Sequence, residues 1–183
     1  RYHQTVQGTY SNFQMSGKSE NYSLKAQRVI HRDEDSKVMI DFQIGRKFST
    51  SYLEDTEITA QEKDTTSVEI GLSRRKNFST GLIDMRIAGR QGVPWFGAEG
   101  DSELKYQKDM PTFEYFLGTF DFNLMQQFKL GKVPMRYSFN FRGQATRSRL
   151  YGNEFFNIGN RYTVRGFGED NTLSAENGFY VRN

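Results

Sequence analysis

The sequence predicts an all-β chain that forms part of an antiparallel transmembrane β-barrel. Three observations support this prediction. Apolar and polar residues alternate along several segments, short turns alternate with long connections, and no segment shows the period of a helix. In bacterial outer-membrane barrels the short turns are periplasmic and the long loops extracellular. We therefore expect short periplasmic turns and long extracellular loops.

The alternation marks the strands one after another. A strand end at 1–6 precedes a polar, turn-prone stretch at 7–17, and alternation resumes at Asn21. It is clearest at Val38, Ile40, Phe42 and Ile44, which alternate with polar or small neighbours. Further strands are predicted around 68–73, 83–88, 116–124 and 136–144.

The connections between these strands differ in length in a regular order. Short ones are predicted near 31–36, 74–79 and 130–134, and long ones near 7–17, 53–64, 92–111 and 150–177. Crossing a bilayer takes about 9–11 residues of a tilted strand. The segments Ser36–Tyr52 and Thr112–Phe128 are long enough to do so.

The residues opposite the apolar ones are polar and carry both signs of charge. This suits a water-filled lumen, with the apolar face towards lipid. Alternation alone does not say which face is outside, so a soluble, lipocalin-like ligand-binding barrel stays an alternative. The predicted lumen-lining residues are Lys25, Asp41, Gln43, Glu69, Asp84, Arg86, Asp121, Asn123, Arg136, Asn140, Arg142 and Gln144.

The composition argues against several other classes of function. The chain has 183 residues, a net charge of +3 and no cysteine, which excludes disulfides and thiolate metal sites. Its positive charges form no patch suited to nucleic acid. His3 and His31 have no serine or aspartate at a spacing that suggests catalysis. Asp33 and Asp35 lack the other ligands of a calcium loop. We expect no catalytic residue, metal or cofactor, and not an enzyme.

Two further features concern the start of the chain and a long connection. The sequence opens without an initiator methionine or a signal peptide, so we expect an internal piece of a longer protein. Trp95 and Phe96 lie in the connection at 92–111. Both an interface anchor and ordinary loop packing are open interpretations of this aromatic pair.

A glycine-bracketed arginine stands out near the end of the chain, in Gly159-Asn160-Arg161-Tyr162-Thr163-Val164-Arg165-Gly166-Phe167-Gly168. Glycine permits positive φ and close backbone approach. An arginine held on such a turn offers a planar fork of donors to a carboxylate. An ordinary surface loop is the alternative interpretation.

This stretch resembles the Val-Arg-Gly-Tyr/Phe motif of a superfamily of outer-membrane barrel transporters and assembly factors. The flanking segments 154–159 and 172–183 resemble the two-partner secretion transporters of the hemolysin secretion/activation branch, which includes the contact-dependent inhibition type. Segments 27–33, 53–58 and 92–97 are similar to the same branch. The resemblance thus covers nearly the whole chain, and the last loop is its most specific part.

The resemblance implies a barrel of about 16 strands behind a pair of periplasmic domains. Residues 1–183 would run from about the end of its fifth strand to the start of its twelfth. The motif loop at 150–178 would fold into the lumen, where Arg165 would pair with a carboxylate expected after Asn183. Within the chain, Asp41, Glu69, Asp84 and Asp121 are possible substitutes. The motif-loop residues are Gly159, Arg161, Val164, Arg165, Gly166, Phe167 and Glu176.

The function implied by the resemblance is passive export across the outer membrane of a Gram-negative bacterium. A monomeric barrel in contact with lipid would thread an unfolded partner protein (an adhesin, hemolysin or contact-dependent toxin) to the cell surface without ATP. A barrel-assembly factor shares the motif and is the alternative, with a longer series of periplasmic domains. The exit sequence 173–183 favours secretion.

Overall fold

The structure is a computed structural model that describes residues 2–7, 12–53, 56–57, 63–101, 110–159 and 173–183. Side chains are described from residue 18 onwards, except at 51–62, 102–109 and 160–172. Within these ranges the chain contains strands and two short 3-10 turns, at Trp95–Gly97 and Gly152–Glu154. No helix in the described ranges is long and apolar enough to cross a membrane.

One antiparallel sheet holds most of the strands. Its path is β1-β2-β3-β5-β6-β7-β8-β11, and β4 pairs with β3 beside it. A second, two-stranded sheet pairs β9 with β10. The strands are β1 Tyr2–Gln7, β2 Asn12–Arg32, β3 Ser36–Leu53, β4 Thr56–Glu57, β5 Lys63–Phe78, β6 Gly81–Val93, β7 Phe116–Leu130, β8 Val133–Thr146, β9 Phe156–Ile158, β10 Leu173–Ala175 and β11 Gly178–Arg182.

Short turns join the long strands at one end of the sheet, which we call the turn end. They lie at residues 33–35, 79–80 and 131–132. Gly131 adopts a φ of 63° in the last of them, a conformation that glycine tolerates without steric cost. The longer connections lie at the opposite end, which we call the loop end. The predicted order of short and long connections is therefore present from β2 onwards, whereas most of the long connection predicted at 7–17 belongs to β2.

Two predicted boundaries are wrong. Residues 12–17 were expected in a turn-prone stretch, but β2 begins at Asn12 and pairs there with β1. Most of the short connection expected near 74–79 belongs to β5, which continues to Phe78. The reasons differ. In β5, the polar residues 74–77 lie on both sides of the strand end and remove the alternation on which the prediction depends. At the start of β2 the alternation is present at Phe13 and Met15, but the polar residues around them were interpreted as a turn.

The register divides the side chains of the sheet between two faces. Residues paired across the ladder point to the same side, and residues two apart along a strand share a face. We call the sides the polar face and the apolar face. The apolar face carries large exposed hydrophobic residues on every long strand: Tyr22, Leu24, Ile40, Phe42, Ile70, Leu72, Ile87, Phe116, Phe120, Phe128, Leu130, Val133, Met135, Tyr137, Phe179 and Val181.

A bulge interrupts the register of β2. Val29 pairs with Met39 and His31 pairs with Val38, so Ile30 is inserted between two ladder positions. Such an extra residue changes the side to which the following residues point. Beyond the bulge, Arg32 pairs with Lys37 and shares its face.

The small hydrophobic core lies at the loop end. Tyr115, Leu117 and Leu150 are buried there, and Phe155 packs against them. Leu117 pairs with Arg90 in the ladder, so it lies on the polar face. The core therefore forms where the segment after β8 returns over that face.

Residues 150–159 and 173–177, which we call the loop base, form the two arms of the last long loop. Their β9–β10 pairing runs from Phe156–Ala175 to Ile158–Leu173. The ring of Phe156 stacks on Tyr180, with centroids 6.1 Å apart. Tyr180 pairs with Arg142 in the ladder. The loop base therefore lies on the polar side of the sheet.

Candidate functional site

All of the predicted lumen-lining residues lie on the polar face. Lys25 pairs with Gln43, and Gln43 with Glu69, across three neighbouring strands. Arg86 likewise pairs with Asp121 in the ladder, and Asp121 pairs with Arg142. The remaining members, Asp41, Asp84, Asn123, Arg136, Asn140 and Gln144, follow from the same register. That this face lines a lumen stays a prediction.

A continuous series of opposite charges crosses the polar face from β2 to β6, and we call it the ion chain. Lys25 Nζ lies 3.5 Å from Asp41 Oδ2. Arg86 Nη2 lies 2.8 Å from the same oxygen and 2.6 Å from Glu69 Oε1. Because each carboxylate lies between two cations, the face carries little net charge along this line.

The ion chain continues from the sheet into the loop base. Arg90 donates from Nε to Glu69 Oε2 at 2.8 Å, and its Nη2 lies 2.7 Å from the same oxygen. Its Nη1 lies 3.3 Å from Glu154 Oε2. Glu154 ends the 3-10 turn Gly152–Glu154. Arg90 therefore connects the strand wall to the loop base through ionic hydrogen bonds.

The middle of the ion chain is shielded from water. The side chain of Asp41 is 1% exposed and that of Glu69 is 9% exposed. An ionised carboxylate at such a position is tolerated only when it is paired and hydrogen-bonded. The arginines meet this need, and the described residues contain no buried side-chain nitrogen or oxygen without a partner.

Gly71 makes the longest step of the ion chain possible. It pairs with Asp41 on one side and Ala88 on the other, so it faces the polar side between them. A Cβ at this position would lie 2.5 Å from Arg86 Nη2 and 2.9 Å from Asp41 Oδ1. The missing side chain thus lets the guanidinium of Arg86 cross β5 and reach β3.

Tyr115 closes the loop end of the ion chain. Burial raises the pKa of its hydroxyl far above the ordinary value, and the charge of Glu154 raises it further. Tyr115 therefore stays neutral at physiological pH. Together with Gln43, Glu69, Arg90 and Glu154 it lines a cavity of about 300 Å³. This assigns Gln43, which takes no part in the ion chain, to the wall of that cavity.

The remaining predicted residues form separate pairs nearer β8 and the turn end. Arg142 Nε lies 3.2 Å from Asp121 Oδ1, and Asn140 donates to Asn123 at 2.7 Å. Asp84 pairs with Arg75 at 2.7 Å. The side chain of Arg136 is exposed.

The two arms of the loop base are tied together by Glu176. Its Oε1 accepts a hydrogen bond from the backbone nitrogen of Leu150 at 3.0 Å, and its Oε2 lies 3.2 Å from Arg149 Nη1. Gln144 Nε2 donates to the carbonyl oxygens of Glu154 and Glu176, at 2.9 and 3.1 Å. The side chain of Gln144, on the polar face of β8, therefore contacts both arms of the loop base.

The predicted motif itself is only partly described. Gly159 is buried and has a φ of 108°, a left-handed value that favours glycine. The tip of the motif loop, with Arg161, Val164, Arg165, Gly166 and Phe167, lies outside the described residues. The four possible substitute partners of Arg165 are each engaged with a cation of the sheet: Asp41 with Arg86, Glu69 with Arg90, Asp84 with Arg75 and Asp121 with Arg142.

Sequence reasoning missed three members of this site. Arg90 and Glu154 complete the ion chain, and Arg75 pairs with Asp84. Two of them could have been found by counting alternate residues along the predicted strands. Arg90 follows Arg86 by an even number of residues, and Arg75 follows Glu69 in the same way. No strand pattern points to Glu154, because it reaches the site from a connection.

Comparison with known proteins assigns the family. The profile described as "Haemolysin secretion/activation protein ShlB/FhaC/HecB" matches residues 1–183. The chain belongs to this family. The resemblance found in the sequence is thus confirmed.

Two similar proteins are named as transporters. The chain is 31% identical over 182 residues to "Outer membrane transporter CdiB-2" of Burkholderia pseudomallei, covering 100% of this chain and 31% of that protein. It is 28% identical over 169 residues to "Hemolysin transporter protein ShlB" of Serratia marcescens, covering 92% and 29%. The chain therefore spans less than a third of the length of these relatives.

Solved structures share the fold. CdiB from Acinetobacter baumannii superposes with a TM-score of 0.81 at 29% identity, covering 98% of this chain and 31% of that one. CdiB from Escherichia coli gives a TM-score of 0.87 at 24% identity, covering 99% and 33%. The predicted all-β, antiparallel fold is confirmed.

Proposed function

We propose that this chain is part of the wall of an outer-membrane barrel that exports an unfolded partner protein from the periplasm to the cell surface. The observation that carries the proposal is the contrast between the two faces of the sheet. The polar face holds paired charges and the base of the last loop, whereas the opposite face exposes large apolar side chains. Membership of the secretion family supports the same function.

The distribution of polarity favours a membrane over a soluble ligand-binding barrel. Asp41 is 1% exposed on the polar face, whereas Leu24 is 73% and Ile70 is 58% exposed on the other. A soluble barrel would bury the apolar side and expose the charged one. Lipid against the apolar face would cover the exposed hydrophobic residues, and water along the polar face would hydrate the charged ones.

We propose that the main sheet is the part of the barrel from about its fifth to about its twelfth strand. Its path runs through eight strands, β1, β2, β3, β5, β6, β7, β8 and β11, and the fifth to the twelfth strand inclusive are also eight. Strands from the rest of the protein would pair with β1 and β11 and close the barrel. Closure removes the bare edges, which a bilayer does not tolerate.

The paired charges suit passive passage of an extended chain. Cations and carboxylates on the wall neutralise one another locally, so the wall offers polar contacts without a deep trap for either sign of charge. The outer membrane has no ATP, and we propose that folding of the partner outside the cell drives export. The relatives named CdiB favour a contact-dependent toxin as the partner.

The loop base supports a lumenal position for the motif loop. Both arms lie against the polar face through Arg90 and Gln144. We propose that the loop continues inward and that Arg165 pairs with a carboxylate other than those already engaged on the sheet. An unpaired arginine at this depth would be costly.

The test uses the intact protein, expressed in the outer membrane together with the secreted protein encoded beside it. Wild-type protein should release the partner to the cell surface or the medium, and Arg165→Ala should lower the amount released. Equal release by Arg165→Ala would contradict the role of this arginine. Unchanged secretion without the protein, combined with defective assembly of other outer-membrane proteins, would instead identify a barrel-assembly factor.

A further inference from the structure

An exposed aromatic pair lies at the loop end, immediately after β6. Residues 94–100, which we call the aromatic bulge, leave the sheet and form the 3-10 turn Trp95–Gly97. Trp95 is 50% exposed and Phe96 is 67% exposed. Phe96 has a φ of 61°, and it is the only non-glycine residue with positive φ in the described ranges. A bulky residue in this conformation is strained and points to a function for its position.

One hydrogen bond shows on which side of the sheet Trp95 lies. Thr66 pairs with Arg46 in the ladder and faces the apolar side. Its Oγ1 donates to the carbonyl oxygen of Trp95 at 3.2 Å. Thr66 is only 3% exposed, although Ile70, on the same face of the same strand, is 58% exposed. Trp95, at the start of the aromatic bulge, therefore lies on the apolar side of β5.

Two backbone hydrogen bonds fix the turn of the aromatic bulge. The backbone nitrogen of Ala98 donates to the carbonyl oxygen of Trp95 at 3.1 Å and closes the turn, and that of Glu99 donates to the carbonyl oxygen of Asp64 at 2.8 Å. The second bond returns the chain to β5 beyond the end of its pairing with β6. The two aromatic side chains thus project from a fixed turn.

The neighbouring side chains on the apolar face combine aromatic rings with paired charges. Arg46 donates to Asp64 at 3.0 and 2.5 Å, and its Cζ lies 4.6 Å from the ring centroid of Phe48. The Tyr22 ring meets Phe48 edge-on at 6.2 Å. Below this group the face is apolar, at Leu24, Phe42 and Ile70. Aromatic and charged groups that border an apolar band are typical of the level of lipid headgroups.

We infer that the aromatic bulge is a lipid-surface anchor, with Trp95 and Phe96 inserted among the headgroups and upper acyl chains at the loop end of the sheet. The inference rests on the proposed function for the location of the chain in an outer membrane. An exported protein is the other conceivable occupant. It would pass along the polar face, whereas the hydrogen bond from Thr66 places Trp95 on the apolar side.

Quenching of tryptophan fluorescence tests the inference in the intact protein. The protein and its Trp95→Phe variant are reconstituted in phosphatidylcholine vesicles, and the difference between their emission spectra isolates the signal of Trp95. Lipids brominated close to the headgroup should remove most of this signal, and lipids brominated at the chain ends should remove less. Iodide in the water should remove little. Strong quenching by iodide without quenching by brominated lipid would overturn the inference.

Phe96→Asn provides the matched variant, because asparagine adopts left-handed backbone more readily and lacks the apolar ring. We expect the Trp95 emission to shift to longer wavelength and its quenching by brominated lipid to fall, with a heat-modifiable band and secretion retained. An unchanged spectrum would show that Phe96 takes no part in the anchor. If the protein inserts and secretes its partner while Trp95 stays in water, only this inference fails. If it does not enter membranes at all, the proposed function fails with it.

Discussion

Two arginine–aspartate pairs of the polar face, Arg86–Asp41 and Arg142–Asp121, differ in their contact with water. Between β2 and β6, Arg86 and Asp41 have side chains that are 25% and 1% exposed. Between β7 and β8, Arg142 and Asp121 are 56% and 27% exposed. The first pair belongs to the ion chain, whereas the second is a single cross-strand contact.

From this difference we expect shielding to decide how much each charge pair contributes to stability. The loop base and the small core lie over the loop end of the first region and exclude water there. A shielded charge that loses its partner keeps its desolvation cost. An exposed charge that loses its partner is hydrated instead. The same chemical change should therefore have different consequences in the two regions.

The largest effect is expected for Arg86→Ala. This change removes the cation that Asp41 and Glu69 share and leaves each carboxylate with a single cation, Lys25 or Arg90. We therefore expect a loss of about 2–3 kcal/mol in the free energy of unfolding. Urea unfolding of the intact protein in phospholipid vesicles would measure it. A loss no greater than that of Arg142→Ala would contradict the comparison between the regions.

Gly71→Ala should have the next largest effect, although it removes no charge. The new Cβ would lie 2.5 Å from Arg86 Nη2, and displacement of the guanidinium should cost about 1–3 kcal/mol. Gly45→Ala is the matched control on the polar face of the neighbouring strand β3, since its Cβ would meet only ordinary contacts at 3.8 Å. The same unfolding measurement applies. Equal losses in the two variants would show that Arg86 does not need the space above Gly71.

Glu154→Gln separates the loop base from the ion chain while keeping the shape of the side chain. The weaker contact with Arg90 should cost about 1 kcal/mol, or roughly a five-fold increase in opening of the loop base. We expect faster protease cleavage within residues 150–178 and an unchanged heat-modifiable band. Glu114→Gln, at an exposed side chain, should leave cleavage at the wild-type rate. Equal rates in both variants would rule out Arg90–Glu154 as the attachment.

The smallest effect is expected for Arg142→Ala. Asp121 retains access to water on this part of the face, so the unfolding free energy should change by about 0–1 kcal/mol. Thermal unfolding and urea unfolding should both show this small change in stability. A loss as large as that of Arg86→Ala would mean that residues outside the described ranges shield this pair as well.

The strands and their two faces could be predicted because alternation is a local property. Asp41, Glu69 and Arg86 were placed on one face from parity alone, and the register confirms their shared side. The ion chain could not be predicted, because Arg86 reaches Asp41 across an intervening strand at Gly71. Glu154 joins from a connection whose path depends on tertiary packing. Contacts of these kinds follow from the register and the return of a loop, which no local pattern specifies.

The bulge in β2 has a consequence for how this family can change in length. Because Ile30 has no partner in the ladder, loss of that residue by deletion would leave Val29 and His31 as ordinary successive positions, with every other side chain on its present side. Deletion of another residue of β2, such as Ala26, would move the side chains on one side of the deletion to the opposite face of the sheet. Single-residue gaps in related sequences should therefore gather at this position of the strand.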